Sequence, residues 1–169
     1  MSEVAVIIDC TEFTAERMWM KGAAHYLFST YKHRPTVKFV VGITTSGAFC
    51  YVSAGYGGRT TDNTVVRKSG LLDGLNKQKY PVGAEVLADR GFNGLQIDLI
   101  KIGMFLATPP SSRERLDEAH AELATEAANG RIHVERAIGG LKGWTYLVQP
   151  VTWEAADLFD TAVQLCAAL

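Results

Sequence analysis

Three carboxylates in this chain stand where a metal-assisted reaction would want them. Asp9 closes the apolar, β-branched run Val4-Ala5-Val6-Ile7-Ile8, and Asp89 closes Glu85-Val86-Leu87-Ala88. Both runs read as buried strands ending in an acid. If the two strands are neighbours in a sheet, both carboxylates emerge at one end of it, where open α/β sheets carry their sites. Glu135 lies on a helix expected to begin near Gly130, and its longer side chain reaches the same point. Hard carboxylate oxygens suit Mg²⁺, which fills its octahedron with waters and substrate phosphate oxygens. Two such ions about 3.5–4 Å apart would activate an attacking oxygen and stabilise a leaving one at phosphorus. Each acid also has an ordinary reading: an Asp after a strand as a turn or helix cap, a helix Glu as a solvated side chain.

The elements that must hold these acids follow from pattern. Thr36 to Thr44 and Ala48 to Ser53 are β-rich and flank Thr45-Ser46-Gly47, so they predict a hairpin with Gly47 in its turn. Residues 10–35 show no clear periodicity. A helix is expected from about Asn63 to Ser69 after the Gly-rich loop Gly55–Asp62, with another turn over Leu71 to Leu75. Glu85 to Asp89 is the next strand. A helix over about Gly94 to Ile102 presents Leu95, Leu99 and Ile102 on one side, and Met104 to Ala107 is a last short strand before Pro109-Pro110. Three helices complete the chain: Arg113 to Ala128, Arg131 to Lys142 with Ile132, Ile138 and Leu141 apolar, and Glu154 to Ala168 with Leu158, Val163 and Leu165 inward. The order strand, strand, strand, helix, strand, helix, strand and then helices is that of an α/β, RNase H-like fold, a mixed central sheet flanked by helices.

Several side chains near the acids invite roles. Arg131, Glu135 and Lys142 share a helix face, since steps of four and seven keep side chains together. Arg131 and Lys142 are candidates for DNA phosphate contacts, against the plain alternative of an Arg131–Glu135 ion pair. Arg59 and Arg90 lie on loops near the expected active end, and Arg136 is a further phosphate candidate. Asp62 is a candidate accessory acid, with helix capping the preferred account. His133 should point away from Glu135, and Glu12 is read as peripheral. Gly57-Gly58 lacks the spacing of a nucleotide-binding loop. Cys10 has no neighbour that would lower its thiol pKa. Trp144 and Tyr146 are read as a helix-end cluster in preference to base-stacking groups.

The segments around the acids resemble the DDE endonuclease superfamily, specifically the Harbinger-like transposases and their relatives among animal elements with zinc-finger DNA-binding domains. The matching pieces are Ile7-Ile8-Asp9-Cys10-Thr11-Glu12-Phe13, Tyr31-Lys32-His33 with Thr36-Val37-Lys38, Gly57-Gly58-Arg59-Thr60-Thr61-Asp62, and Ala88-Asp89-Arg90-Gly91-Phe92. The last is Arg131-Ile132-His133-Val134-Glu135-Arg136-Ala137-Ile138-Gly139, followed by Lys142. They fall in family order. The resemblance implies that Asp9, Asp89 and Glu135 are the catalytic and metal-binding acids. It also implies two Mg²⁺ or Mn²⁺ ions, hydrolysis at transposon ends, and attack of the freed 3′-hydroxyl on target DNA. Residues 1–169 then form a single catalytic domain. The family's N-terminal DNA-binding region is absent, so a separate DNA-binding domain or subunit and a homo-oligomer are expected partners besides DNA.

Bulk properties agree with part of this. Lys and Arg (17) nearly balance Asp and Glu (18), and the pI is ≈ 6.4. Phosphate neutralisation supplies most nucleic-acid affinity, so much of the grip on DNA must come from a local basic patch or from elsewhere. Cys10, Cys50 and Cys166 form no zinc or disulfide pattern. No apolar run spans a bilayer and no signal peptide is evident, so an intracellular protein is expected, nuclear in a eukaryote and cytoplasmic in a bacterium. Two rivals stand beside the transposase reading: a domesticated, non-catalytic DNA- or protein-binding relative, and a purely hydrolytic nuclease.

Overall fold

The computed structural model describes residues 4–17, 25–78, 80–109, 118–152 and 154–169, with backbone alone for 118–129. The elements are β1 (Val4–Thr14), β2 (Phe28–Ser29), β3 (Arg34–Ile43), β4 (Phe49–Val52), β5 (Tyr56–Gly57), α1 (Asp62–Ser69), α2 (Leu71–Lys77) and β6 (Glu85–Leu87). A 3₁₀ helix (Arg90–Leu95), α3 (Gln96–Lys101), β7 (Phe105–Ala107), α4 (Glu118–Lys142), α5 (Thr145–Val148) and α6 (Ala156–Ala168) follow. The sheet runs β2-β3-β1-β6-β7, with β4 and β5 also pairing with β3. β3 is antiparallel to β1, whereas β6 and β7 continue the sheet in parallel. This is the mixed sheet flanked by helices that the pattern predicted.

Strand alternation divides the core. Val6 and Ile8 of β1 point to one face and pack with Val65, Val66, Phe92, Leu95 and Leu99 of the helices between β5 and β7. Ile7 and Phe13 point to the other face. Ile7 meets Val134 of α4, and Phe13 meets Leu141, Leu147 and Phe159. α4 presents Val134, Ala137, Ile138 and Leu141 as a stripe at helical spacing.

Several expectations need correcting. Residues 10–35 are not featureless, because β1 runs on to Thr14 and β2 lies within them. The strand before Asp89 stops at Leu87, and Asp89 caps the 3₁₀ helix. The two helices predicted either side of Gly130 are one, described from Glu118 onwards; residues 113–117 lie outside the described residues. Ile132 is exposed, and Val134 fills the core in its place. On α6, Leu158 and Leu165 face outward while Phe159 and Val163 are buried.

Gly130 lies within α4, at a point where the helix packs closely on the sheet. A Cβ there would fall 2.0 Å from Leu87 Cδ2 and 3.5 Å from Ile7 Cδ1. Exchanging glycine for alanine in a helix ordinarily stabilises by about 1 kcal/mol. Here overpacking of about 1–3 kcal/mol opposes it. Gly130→Ala is therefore expected to lower the urea midpoint, and a rise would show that α4 has room to lift off the sheet.

Candidate active site

The parallel register pairs Ile7 with Leu87, so Asp9 and Asp89, each two residues further on, reach the same end of β1 and β6. Asp9 lies on the β1 face that α4 covers. Val134 packs against Ile7 there, and the next residue of the helix is Glu135. Asp9, Asp89, Arg131 and Glu135 line one small cleft of ≈ 40 Å³, floored by Ile7, Leu87 and Val134. Asp9 Oδ1 accepts the Cys10 N–H at 2.7 Å, and Asp89 Oδ1 accepts the Arg90 N–H at 2.8 Å. Arg131 Nη2 lies 3.6 Å from Glu135 Oε1.

Burial pushes the Asp9 carboxyl up to about 6. The Cys10 N–H works against this, the charges of Asp62 and Asp89 add to it, and Arg131 opposes it. An acid held up by burial and by like charges is one that a cation would relieve. The donor chemistry thus fits a divalent ion. The spacing is open, however: among the described residues no three His, Cys, Asp or Glu side chains stand close enough together to hold one. Glu135 is turned to Arg131 as the ion-pair alternative anticipated.

Asp62 is neither cap nor free acid. Thr61 holds the N-cap position of α1 without a side-chain cap bond, and the Asp62 carboxylate accepts from Lys38 Nζ at 2.7 Å. The same ammonium donates to Thr60 O at 2.9 Å and lies 3.4 Å from Glu12 Oε1. Glu12 in turn accepts from Thr36 Oγ1 at 2.7 Å. Glu12, expected to be peripheral, is an inner member of this network, and Lys38, at 8% exposure, is its hub. The available signal for Lys38 was a lysine inside the β-branched run Thr36–Thr44. Gly58 belongs to the same packing, since a Cβ there would meet Thr36 Oγ1 at 2.0 Å and Leu27 O at 2.9 Å. The Gly57-Gly58 pair thus lets the loop lie on the sheet.

Of the other candidates, Arg90 Nε donates to Pro109 O at 3.0 Å. Arg59 and Arg136 are exposed. Lys142 Nζ sits 6.0 Å from the Phe13 ring centroid. His133 Nδ1 approaches the β3–β4 turn at Gly47, whose φ is 90°. Burial, with the nearby charges of Asp62 and Asp9, drives the Cys10 thiol far up and disfavours its thiolate. Tyr146 leans on Phe159, 6.4 Å between centroids. A larger groove of ≈ 510 Å³ lies between β5 and α6, lined by the acids Asp157 and Asp160 among others. Both Asp160 oxygens are 3.1 Å from the Gly55 N–H, which ties that acid into the fold.

A family model described as DDE superfamily endonuclease matches residues 8–169. No curated protein matches the sequence. Among solved structures the chain is similar to the piggyBac transposase of a synaptic complex with hairpin DNA, determined by cryo-electron microscopy. The TM-score is 0.54 and the identity 11% over 99% of this chain, a likeness of fold. The chain spans 46% of that transposase chain.

Proposed function

Since the chain belongs to the DDE superfamily of endonucleases, we propose that it is the catalytic domain of a cut-and-paste transposase, cutting phosphodiester bonds at transposon ends. The observation that carries this reading is that Asp9, Asp89 and Glu135, far apart in sequence, line one cleft. These three carboxylates would hold two Mg²⁺ or Mn²⁺ ions. When bound, the ions supply Lewis acidity and an activated oxygen nucleophile.

The chain's own residues set the conditions. Above a pH of about 6 the Asp9 carboxyl is ionised and able to bind a cation. Arg131 favours that ionised form and holds Glu135 at the rim. Arg59, Arg90, Arg131, Arg136 and Lys142 would meet DNA phosphates. The near balance of charge leaves sequence-specific gripping of transposon ends to a separate DNA-binding domain or subunit, and a homo-oligomer would bring two ends together.

The test is nicking of supercoiled plasmid with Mn²⁺ or Mg²⁺, alongside thermal unfolding in the same buffers. At a metal concentration about 100 times Kd the fold should gain about 2.7 kcal/mol. That gain should disappear in Asp89→Asn and Glu135→Gln together with nicking. Nicking that survives in either variant removes that residue from the site. The Arg131–Glu135 pairing favours a second reading, a non-catalytic binding relative. Absence of both nicking and metal stabilisation in the wild type would support it.

A further inference from the structure

β2 and β3 are joined by a tight turn whose His33 is left-handed, with φ 54°. The His33 N–H donates to Ser29 O at 2.9 Å and the Lys32 N–H to Ser29 Oγ at 3.2 Å, which holds the turn in that shape. A left-handed residue bearing a β-carbon costs about 1 kcal/mol. Such strain persists where surrounding structure fixes it, commonly at functional sites. The turn holds out Tyr31, 79% exposed, together with Lys32 and Arg34, and Lys32 Nζ lies 4.7 Å over the Tyr31 ring.

This turn lies beside the end of α4. The Ala15 N–H donates to Pro35 O at 3.0 Å, so Arg34 sits next to the end of β1, and Lys142 reaches over Phe13 just before that end. The charges of Lys32 and Arg34 act on Lys142, whose ammonium pKa is lowered first by burial and then by Lys32. Among the described residues no carboxylate lies within ion-pair distance of Lys32, Arg34 or Lys142. The acids that do act on Lys142 are Glu12 and Asp9, one committed to Lys38 and the other to the cleft.

Three cations gathered with no described carboxylate in ion-pair distance repel one another, and a polyanion laid across them removes that repulsion. The patch is also continuous with the cleft. Lys142 follows Glu135 by two helical turns on one face of α4, a distance of about 10 Å. An exposed tyrosine at the tip suits stacking beneath an unpaired base. We infer that the Tyr31–Arg34 turn and Lys142 form a docking surface for the phosphate backbone of a DNA strand that leads into the cleft. The inference rests on the reading of this chain as a DNA-cutting enzyme and extends it to residues outside the acid site.

The experiment is equilibrium binding of a fluorescein-labelled DNA duplex with a single-stranded tail, followed by anisotropy over a KCl series without divalent metal. Lys32→Gln/Arg34→Gln is compared with Lys68→Gln/Lys77→Gln, an equal charge change on exposed positions of α1 and α2. The patch pair should lose about tenfold in affinity, with a log–log salt slope shallower by about 2. The control pair should change little, and Lys32→Arg/Arg34→Lys should bind as the wild type does. Tyr31→Ala should weaken the tailed duplex more than a blunt one. Equal losses in both charge pairs, or none in the patch pair, overturn the docking surface while leaving the enzymatic reading intact. A wild type that binds no DNA also overturns the docking surface, and plasmid nicking then decides the enzymatic reading separately.

Discussion

Asn in place of Asp9 is expected to reduce metal-dependent nicking by about 10³-fold or more. The same change should make the metal-free fold more stable at neutral pH. The Asp9 carboxyl titrates at about 6 in the fold against an ordinary value of 3.8. The folded chain therefore binds a proton more tightly than the unfolded one. Below pH of about 4 both states are protonated and Asp9 costs nothing. As pH rises through 4 to 6 the unfolded chain ionises first, and stability falls by about 2–3 kcal/mol before levelling off. Asp9→Asn lacks this fall. Urea denaturation in EDTA at pH 4.5 and 7.5 should show a stability gap between variant and wild type that widens at the higher pH. Saturating Mg²⁺ should reverse the order at pH 7.5, since only the wild type gains from the ion. A variant no more stable than the wild type at pH 7.5 would mean that Asp9 is better solvated than its surroundings imply.

Loss of the Lys38 ammonium should have the largest effect on the fold itself. Burial alone would lower its pKa, but the hydrogen bond and charge of Asp62, with the charge of Glu12, more than reverse this and raise it. Its contribution is thus complete below the ordinary lysine value and is lost only as pH climbs through the raised one. Lys38→Met leaves Glu12 buried beside an apolar chain and frees the Thr60–Asp62 end of the loop. Removing one partner of a buried pair costs about 3–5 kcal/mol. Because Asp62 is partly exposed to water, the low end, about 3 kcal/mol, is expected. Adding Glu12→Gln should restore part of the loss, since it removes the stranded charge. Chemical denaturation of the two single variants and the double variant measures this coupling. Strictly additive losses would show that the two side chains do not interact.

The parts of the fold that could be read directly were those where one physical rule dominates. Val4–Ile8, the hairpin about Gly47 and the strand before Asp89 are short runs rich in apolar and β-forming residues bounded by a turn or an acid, and the structure has strands at each. β1 beyond Asp9 was illegible because Thr11 is buried and Glu12 half-buried although both are polar. Glu12 meets its partner Lys38 only across the antiparallel register, a contact invisible to local pattern. The second helix break was expected at Gly130 because glycine usually marks an end. Its actual reason, contact with Leu87 and Ile7, is tertiary. Leu158 and Leu165 were expected inside by residue type, but the helical phase belongs to Phe159 and Val163. That Asp9, Asp89 and Glu135 would come to one place was legible from their positions relative to strands and helix, and the three line one cleft. The commitment of Asp62 to Lys38 was not, because it depends on how the loop folds back over β3.

The alignment of Ile7 with Leu87 also fixes an order of events in folding. Asp9 and Asp89 stay far apart until β1 and β6 pair in parallel, and that pairing must close nearly the whole intervening chain into a loop. Closure of so long a loop is entropically unfavourable, and parallel pairings between distant segments form slowly. Hairpin contacts between β1 and β3 involve much shorter loops and can form first. A chain refolding from denaturant should therefore recover its antiparallel sheet before it recovers a competent cleft. During synthesis, Asp9 and Asp89 cannot come together until β6 has emerged and found β1, so a product truncated before β6 lacks the paired acids.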